Sequence, residues 1–523
     1  MHTHDNNISD KTLDVAVRKI VKFMTRDKTC SRRRAAYLKE HFNDYVQCFV
    51  FQIESDKIRK HFDLFSDQKY ISNGVVNRIA KTDNNVVFRV MHERDGYIAS
   101  TVFKTMLCTR SYNLLFEYNV GCFINKKCGI FPCFVETFGL VVYQDHDLEC
   151  MITSNRRTNR RTGNDFYSPY ITKSPTKDFC EDTKSPENLS GRCKMDGQPN
   201  CSVSRFDSIC LFLRNKENNL GLITQYIRGN SLAESMNSIY SRYNLLYILY
   251  QIYMPLSVLS NQYTHYDLHA KNILLYKFGT NSHVTFHYHL SRSGCGCSHD
   301  MYAEPQLAET SSKDHTTKPR LLRIRSEEIV SFNSKFIVKI IDYGRSFFND
   351  TTTPSSSNTF RSSEQVYDRI YDVMSPNFGP TYNREYNTIN GLEFGSHKHN
   401  YGDFFISSVL RNSSHDLRLI HELKKDYFDY LQFNKPLFDL MQSVEYGVGI
   451  RDPKYKTYGT KEQSVSGLSR GKIVNVYDMH YSLKLLMKYE ESIALQNEYY
   501  SASKKVGDLH IYDDDRPFEY TSC

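Results

Sequence analysis

The chain has 523 residues, a formal net charge of +8, 24 % charged residues and no tryptophan. Length alone would suggest about three domains. So mild a charge, with no recognised binding motif beside its basic clusters, speaks against a nucleic-acid binder. No apolar run is long enough to span a bilayer and the first residues are too polar for a secretory signal, so an intracellular, soluble protein with reduced thiols is expected.

Residues 1–68 read as a mostly helical N-terminal extension that carries Ser31-Arg32-Arg33-Arg34. Between Ile71 and Val90 a turn is expected at Lys81-Thr82-Asp83-Asn84-Asn85, where Asn and Asp accept left-handed backbone. Tyr97–Lys104 is rich in β-branched residues and predicts a strand. Tyr112–Lys126 predicts a helix with Leu115, Tyr118 and Cys122 on one face, and Phe131–Glu136 opens the next strand. Gln144 to about Arg205 is polar, contains proline and is basic at Arg156-Arg157 and Arg160-Arg161, so it reads as an insert. A buried strand then ends at Thr224, and a turn at Gly229 leads into a helix.

Leu245–Leu259 is an apolar helix interrupted by Gln251. It runs into His265-Tyr266-Asp267-Leu268-His269-Ala270-Lys271-Asn272, followed by a short strand, Ile273-Leu274-Leu275. A second insert, Thr280 to about Asn333, separates that strand from another buried one, Phe336–Ile341, which ends on Asp342-Tyr343-Gly344. Arg345 to about Ser363 is Ser/Thr-rich and loop-like. Tyr401–Leu410 predicts a buried helix with Asp403 near its start. Beyond it the chain reads mostly helical, with core faces at Leu417, Leu419, Ile420 and Leu423 and at Tyr481, Leu483, Leu485 and Leu486.

Of the 14 cysteines, Cys48, Cys108, Cys122 and Cys133 lie in apolar surroundings and read as core thiols. Cys180, Cys193 and Cys201 fall in the first insert, and Cys295, Cys297 and His299 in the second; their spacings match no standard zinc module.

The two central motifs resemble the His-Arg-Asp…Asn catalytic loop and the Asp-Phe-Gly metal loop of protein kinases. That resemblance covers roughly Ile71 to Leu410. It implies an α+β, bilobal fold: a small antiparallel N-terminal lobe with one helix (about 69–224) and a mainly helical C-terminal lobe (225–523). It implies ATP and Mg²⁺ as cofactors, Asp267 as the base for a hydroxyl, and Asn272 and Asp342 as metal ligands. It further implies Lys104 as the phosphate-binding lysine, Glu117 as its carboxylate partner, and Thr224, Gln225, Tyr226 and Ile227 as the adenine-binding hinge. Asp403 would brace the catalytic-loop backbone. The chemistry asks for such groups: Mg²⁺ takes hard oxygen ligands and neutralises phosphate charge, and a carboxylate accepts the proton.

The sequence departs from the family at several points. No Gly-x-Gly-x-x-Gly loop precedes Lys104; Gly74 is the only glycine between Ile71 and Val90. Tyr266 replaces the usual arginine, which removes the cationic partner of an activation-segment phosphate. His269 stands where a lysine would neutralise the γ-phosphate, and Asp-Leu-His-x-x-Asn also occurs in small-molecule kinases of the same superfamily. No Ala-Pro-Glu closes the activation segment. The expected function is Ser/Thr protein kinase, acting on a protein substrate. A small-molecule kinase and a pseudokinase scaffold are the alternatives. The composition and the large inserts resemble divergent kinases of large nucleocytoplasmic DNA viruses, which implies a host-cytoplasmic or virion location.

Overall fold

The computed structural model describes, with short breaks, residues 50–144, 166–167, 206–291, 328–378 and 403–522. The Ser31–Arg34 cluster, the insert arginines, Cys48, Cys108 and the insert cysteines lie outside the described residues. The architecture is mixed α+β, with mainly antiparallel sheets and several helices.

A six-stranded sheet has the order β4-β6-β3-β2-β1-β5, formed by β1 (Ile71–Lys81), β2 (Asn85–Arg94), β3 (Tyr97–Met106), β4 (Thr137–Gln144), β5 (Phe166–Tyr167) and β6 (Asn218–Gln225). Helix α1 (Gln52–His61) precedes it, and α2 (Tyr112–Asn125) follows β3. The strand expected to open at Phe131 begins instead at Thr137. Residues before it turn, with Phe134 forming an isolated bridge to Ile340. The Asn125 side chain pins α2 to β4, donating to Thr137 O at 2.7 Å and accepting from Thr137 N at 2.9 Å. Leu115 and Tyr118 are buried as expected, but so are Leu114, Phe116 and Val120: α2 is enclosed on nearly every side.

A three-stranded sheet, β12-β9-β7, is formed by β7 (Gly229–Ser231), β9 (Ile273–Lys277) and β12 (Phe336–Ile340). Gly229 is required there, since a Cβ would sit 2.2 Å from the Leu275 carbonyl oxygen. Ser231 caps the short helix α3 (Leu232–Ser235) through a capping box with Glu234. Helix α4 (Ile239–Leu259) is apolar all round and correspondingly sits in the core. Its buried amide Gln251 serves β12: its Nε2 donates to Phe336 O at 3.1 Å and its Oε1 accepts from Val338 N at 3.0 Å. A two-stranded pair joins β8 (Tyr263–Thr264) to β13 (Phe347–Phe348).

The second insert is not loop throughout. Its ends form β10 (Ser282–Leu290) and β11 (Glu328–Ser334), which join β17 (Lys504–Tyr512) and β18 (Glu519–Ser522) in a sheet of order β11-β10-β17-β18. The chain's last segment is therefore strand where helix was expected. Nor do the described residues within Tyr401–Leu410 form a helix: β14 (Asp403–Phe404) pairs with β16 (Tyr455–Tyr458), itself paired to β15 (Val448–Asp452), and Leu410 is irregular. Hydrophobicity without a sustained 3.6-residue period did not distinguish the two.

Helix α5 (Ser363–Phe378) follows the second motif. The remaining helices are α6 (Arg418–Asp426), α7 (Phe428–Leu431), α8 (Lys435–Gln442), α9 (Val476–Met487) and α10 (Glu490–Tyr500). Leu417, Leu419, Ile420 and Leu423 are all fully buried. In α9 the buried face is Val476, Met479, Leu483 and Leu486, while Tyr481 and Leu485 point outward. At about 100° per residue, 481 and 485 fall across the helix from 483.

Candidate active site

Four separate segments supply the candidate site. β3 carries Lys104, α2 carries Glu117, and the connections after β8 and β12 carry the two motifs. Lys104 Nζ lies 2.8 Å from Glu117 Oε2 and 2.8 Å from Asp342 Oδ1. Burial works to lower the Lys104 ammonium, but the Asp342 and Glu117 carboxylates outweigh it and hold it above its usual range. Burial pushes Glu117 up to about 7 despite Lys104. Asp342 stays below its ordinary value: burial would raise it, and Lys104 reverses that. Its side chain is the most open of the three, at 39 %. Helix α2 is held at its far end too, where Lys126 Nζ meets Asp350 Oδ2 at 2.5 Å. Gly344 lies beside Glu117, where a Cβ would stand 3.3 Å from Glu117 Oε2.

The two motif loops are bonded to each other. Ile341 N donates to Asn272 O at 3.0 Å, and Ser346 Oγ donates to His265 O at 3.2 Å. His265 Nδ1 accepts from Asp267 N at 3.2 Å, so its proton sits on Nε2, which donates to Ile341 O at 3.0 Å. Burial lowers the pKa of that ring and keeps it neutral, as this tautomer requires. Asn272 Nδ2 donates to Asp267 O at 3.0 Å, fixing the amide inside its own loop. Tyr343 is buried, and its hydroxyl donates to Val135 O at 3.0 Å and accepts from Val135 N at 2.8 Å.

Both loops hold a non-glycine residue in left-handed backbone: Tyr266 at φ 61° and Asp342 at φ 68°. Such backbone is uncommon for a bulky aromatic and persists only where surroundings impose it. Asp416, just ahead of α6, imposes it on the first loop: its Oδ2 accepts from His265 N at 2.9 Å and its Oδ1 from Tyr266 N at 3.0 Å. This is the bracing role that the sequence suggested for Asp403, which instead lies in β14. Burial raises Asp416 against these two donors and His265. The Tyr266 hydroxyl donates to Leu410 O at 2.5 Å, and its ring packs 4.7 Å from His415.

Asp267 is gripped by two arginines. Arg418 Nη1 lies 2.7 Å and Arg345 Nη1 3.1 Å from its Oδ1, with His269 Nε2 at 3.8 Å. Burial would raise the Asp267 carboxyl; Arg345 and Arg418 overcome this and hold it far below the usual carboxylate range. His269 Nδ1 accepts from Lys271 N at 3.2 Å, and burial lowers that ring despite Asp267.

In the segment expected to hold adenine, Thr224 pairs with Val102 and Thr137. Gln225 N donates to Glu136 O at 2.8 Å, and Arg89 stacks 4.7 Å over the Tyr226 ring. Ile227 is buried.

Sequence reading missed Asp416, Arg345 and Arg418. Arg345 carried a positional signal, directly after Gly344. Asp416 and Arg418 were visible only as the polar residues flanking Leu417. Among the described residues, no group of three or more His, Cys, Asp or Glu side chains is gathered to hold a metal by itself. Mg²⁺ asks for less, since one or two carboxylates with phosphate oxygens and water suffice. No protein-family model matches the chain, and no curated protein matches it.

Proposed function

We propose that this protein is an ATP- and Mg²⁺-dependent phosphotransferase of the protein-kinase type, moving the γ-phosphate to a Ser/Thr hydroxyl of a protein. The observation that carries the reading is the convergence of Lys104, Glu117 and Asp342 at 2.8 Å contacts, on a loop bonded directly to the one holding Asp267 and Asn272. In this reading the six-stranded sheet with α2 is the N-terminal lobe, and the helices and smaller sheets after Gln225 are the C-terminal lobe. ATP lies between them, with adenine against Thr224–Ile227.

Lys104, oriented by Glu117, binds the α and β phosphates. The half-buried carboxylate of Asp342 and the side-chain oxygen of Asn272 are hard donors that suit Mg²⁺. Bound there, the ion would neutralise phosphate charge. Asp267 orients the acceptor hydroxyl and takes its proton. His265 and Asp416 hold that loop in shape, so catalysis is mainly positioning and charge compensation.

The test is transfer of label from ATP with Mg²⁺ to basic proteins, wild type beside Asp267→Asn. Transfer that collapses in the variant supports the reading. Transfer to small metabolites and never to protein would make it a small-molecule kinase. Absence of both transfer and nucleotide binding at millimolar ATP would make it a scaffold.

A further inference from the structure

A phosphoryl group in flight spreads negative charge over three oxygens, and a cation on the acceptor side lowers the barrier. Lys104 is committed elsewhere, its ammonium held between Asp342 and Glu117. His269 is a poor substitute. Its Nδ1 accepts from the Lys271 amide, so the neutral ring offers only an Nε2–H toward Asp267. A neutral donor is weaker than a charge-assisted one.

Two guanidiniums do face this space, and they differ. Arg418 is tied down: Nη1 holds Asp267 at 2.7 Å while Nε holds Glu422 Oε1 at 2.8 Å, and its side chain is 10 % exposed. Arg345 is more open, at 28 %, with a longer 3.1 Å contact to Asp267. It sits on the same loop as Asp342, and its charge acts on both Asp267 and Asp342. A planar guanidinium suits two phosphoryl oxygens at once.

Resting on the phosphotransfer reading, we propose that Arg345 is the catalytic cation for the transferring phosphoryl group, exchanging its contact with Asp267 for the γ-phosphate when ATP binds, while Arg418 stays behind to position Asp267. The exchange serves both halves of the reaction. The bond between the γ-phosphorus and the β–γ bridging oxygen breaks, and ADP keeps the electron pair. The acceptor oxygen bonds to phosphorus and its proton passes to Asp267, which Arg345 no longer contacts. Arg345 remains protonated throughout.

The experiment measures transfer from Mg²⁺–ATP to a basic protein acceptor by the full chain and by Arg345→Ala, Arg345→Lys, Lys271→Ala and Asp267→Asn. Arg345→Ala should lower kcat about 10²–10³-fold with little change in KM for ATP. Added guanidinium ion should restore part of that loss, and none of the Asp267→Asn loss. Arg345→Lys, which keeps the charge, should fall between wild type and alanine, and it decides the matter if the alanine variant does not fold. Wild-type kcat in Arg345→Ala, a loss confined to KM, or a kcat loss that follows Lys271→Ala instead would overturn the assignment of Arg345 alone. A wild-type chain that transfers nothing overturns the phosphotransfer reading, and this inference with it.

Discussion

Two sheets of this protein combine near and distant segments in different ways. The six-stranded sheet contains a meander of sequence neighbours, in which β1 pairs with β2, β2 with β3, and Arg94 faces Tyr97 across Asp95-Gly96, with the later β6 and β4 added beside β3. The four-stranded sheet gathers distant segments, with β10 lying parallel to β17. His287 and Asp508, 221 residues apart, meet across it at 2.9 Å. The first sheet brings a charged residue, Lys104, to partners that compensate it. The second turns Val284, Phe286 and Tyr288 into the core and sets His287 and His289 half-buried on its other face, where His289 Nε2 and His510 Nδ1 lie 3.0 Å apart. Of the four segments at the candidate site, the six-stranded sheet supplies the one with Lys104, and the second sheet fastens Lys504–Ser522 to the core. Substitutions in the two regions should accordingly separate loss of activity from loss of stability.

The largest effect belongs to the first region. Lys104→Met removes the ammonium but keeps much of the stem, so transfer should fall about 10²–10³-fold or more. The folded state should survive, because Glu117, already raised to about 7, can take up a proton when its cation is gone. Labelled-phosphate transfer beside a thermal melt checks this. A melt that collapses along with activity would break the proposed separation.

Asp416→Ala should cost both properties. It strands the backbone N–H groups of His265 and Tyr266, each buried and each worth about 1–3 kcal/mol when left unpaired, so about 4 kcal/mol of stability should go. Urea unfolding reads the loss. The left-handed Tyr266 should also relax, taking the Asp267 loop with it. In the second region, Leu509→Ala empties a fully buried site on β17 and should cost about 3 kcal/mol. KM and kcat of the protein that remains folded should be unchanged. A kcat loss there would mean that the second sheet also tunes the site.

The same contrast sets what the sequence could show. Elements with a strong local signal were legible: the strand around Lys104, the helix carrying Glu117, the apolar helix before His265 and the strand before Asp342. The strict alternation of Val284, Phe286, Tyr288 and Leu290 with His283, Thr285, His287 and His289 is equally regular. Even so, alternation names no partner, and β17 is supplied by the far end of the chain. Asp403 drew the bracing role because it lies in the apolar run Tyr401–Leu410, and Asp416 carries no such mark. Which aspartate meets the His265 and Tyr266 amides depends on where α6 packs, and no local pattern carries that. The arginines on Asp267 were hidden for the same reason: Arg418 reaches it from 151 residues away.

The smallest effect probes both regions through buried histidines. His92 on β2 lies 2.9 Å from Thr101 Oγ1, and its ring sits 4.7 Å from that of Phe65. His480 on α9 meets the Tyr250 hydroxyl at 3.2 Å, and Tyr250 in turn packs against Tyr288 of β10. Burial pushes each imidazole down to about 3 from an ordinary 6.5. Each is therefore neutral in the folded protein at pH values where the unfolded chain binds a proton. Their contribution to stability is complete above pH 6.5 and is lost as pH falls toward 3. At pH 5 each should cost about 2 kcal/mol relative to neutral pH. His92→Gln and His480→Gln should each reduce the dependence of unfolding free energy on pH between 4 and 6 by one proton. If the two sheets unfold together, the reductions will be equal and will appear in a single transition. If the four-stranded sheet opens first, only His480→Gln will flatten that earlier transition. The sheet that fastens the chain's end would then be a separate unit from the one that carries Lys104.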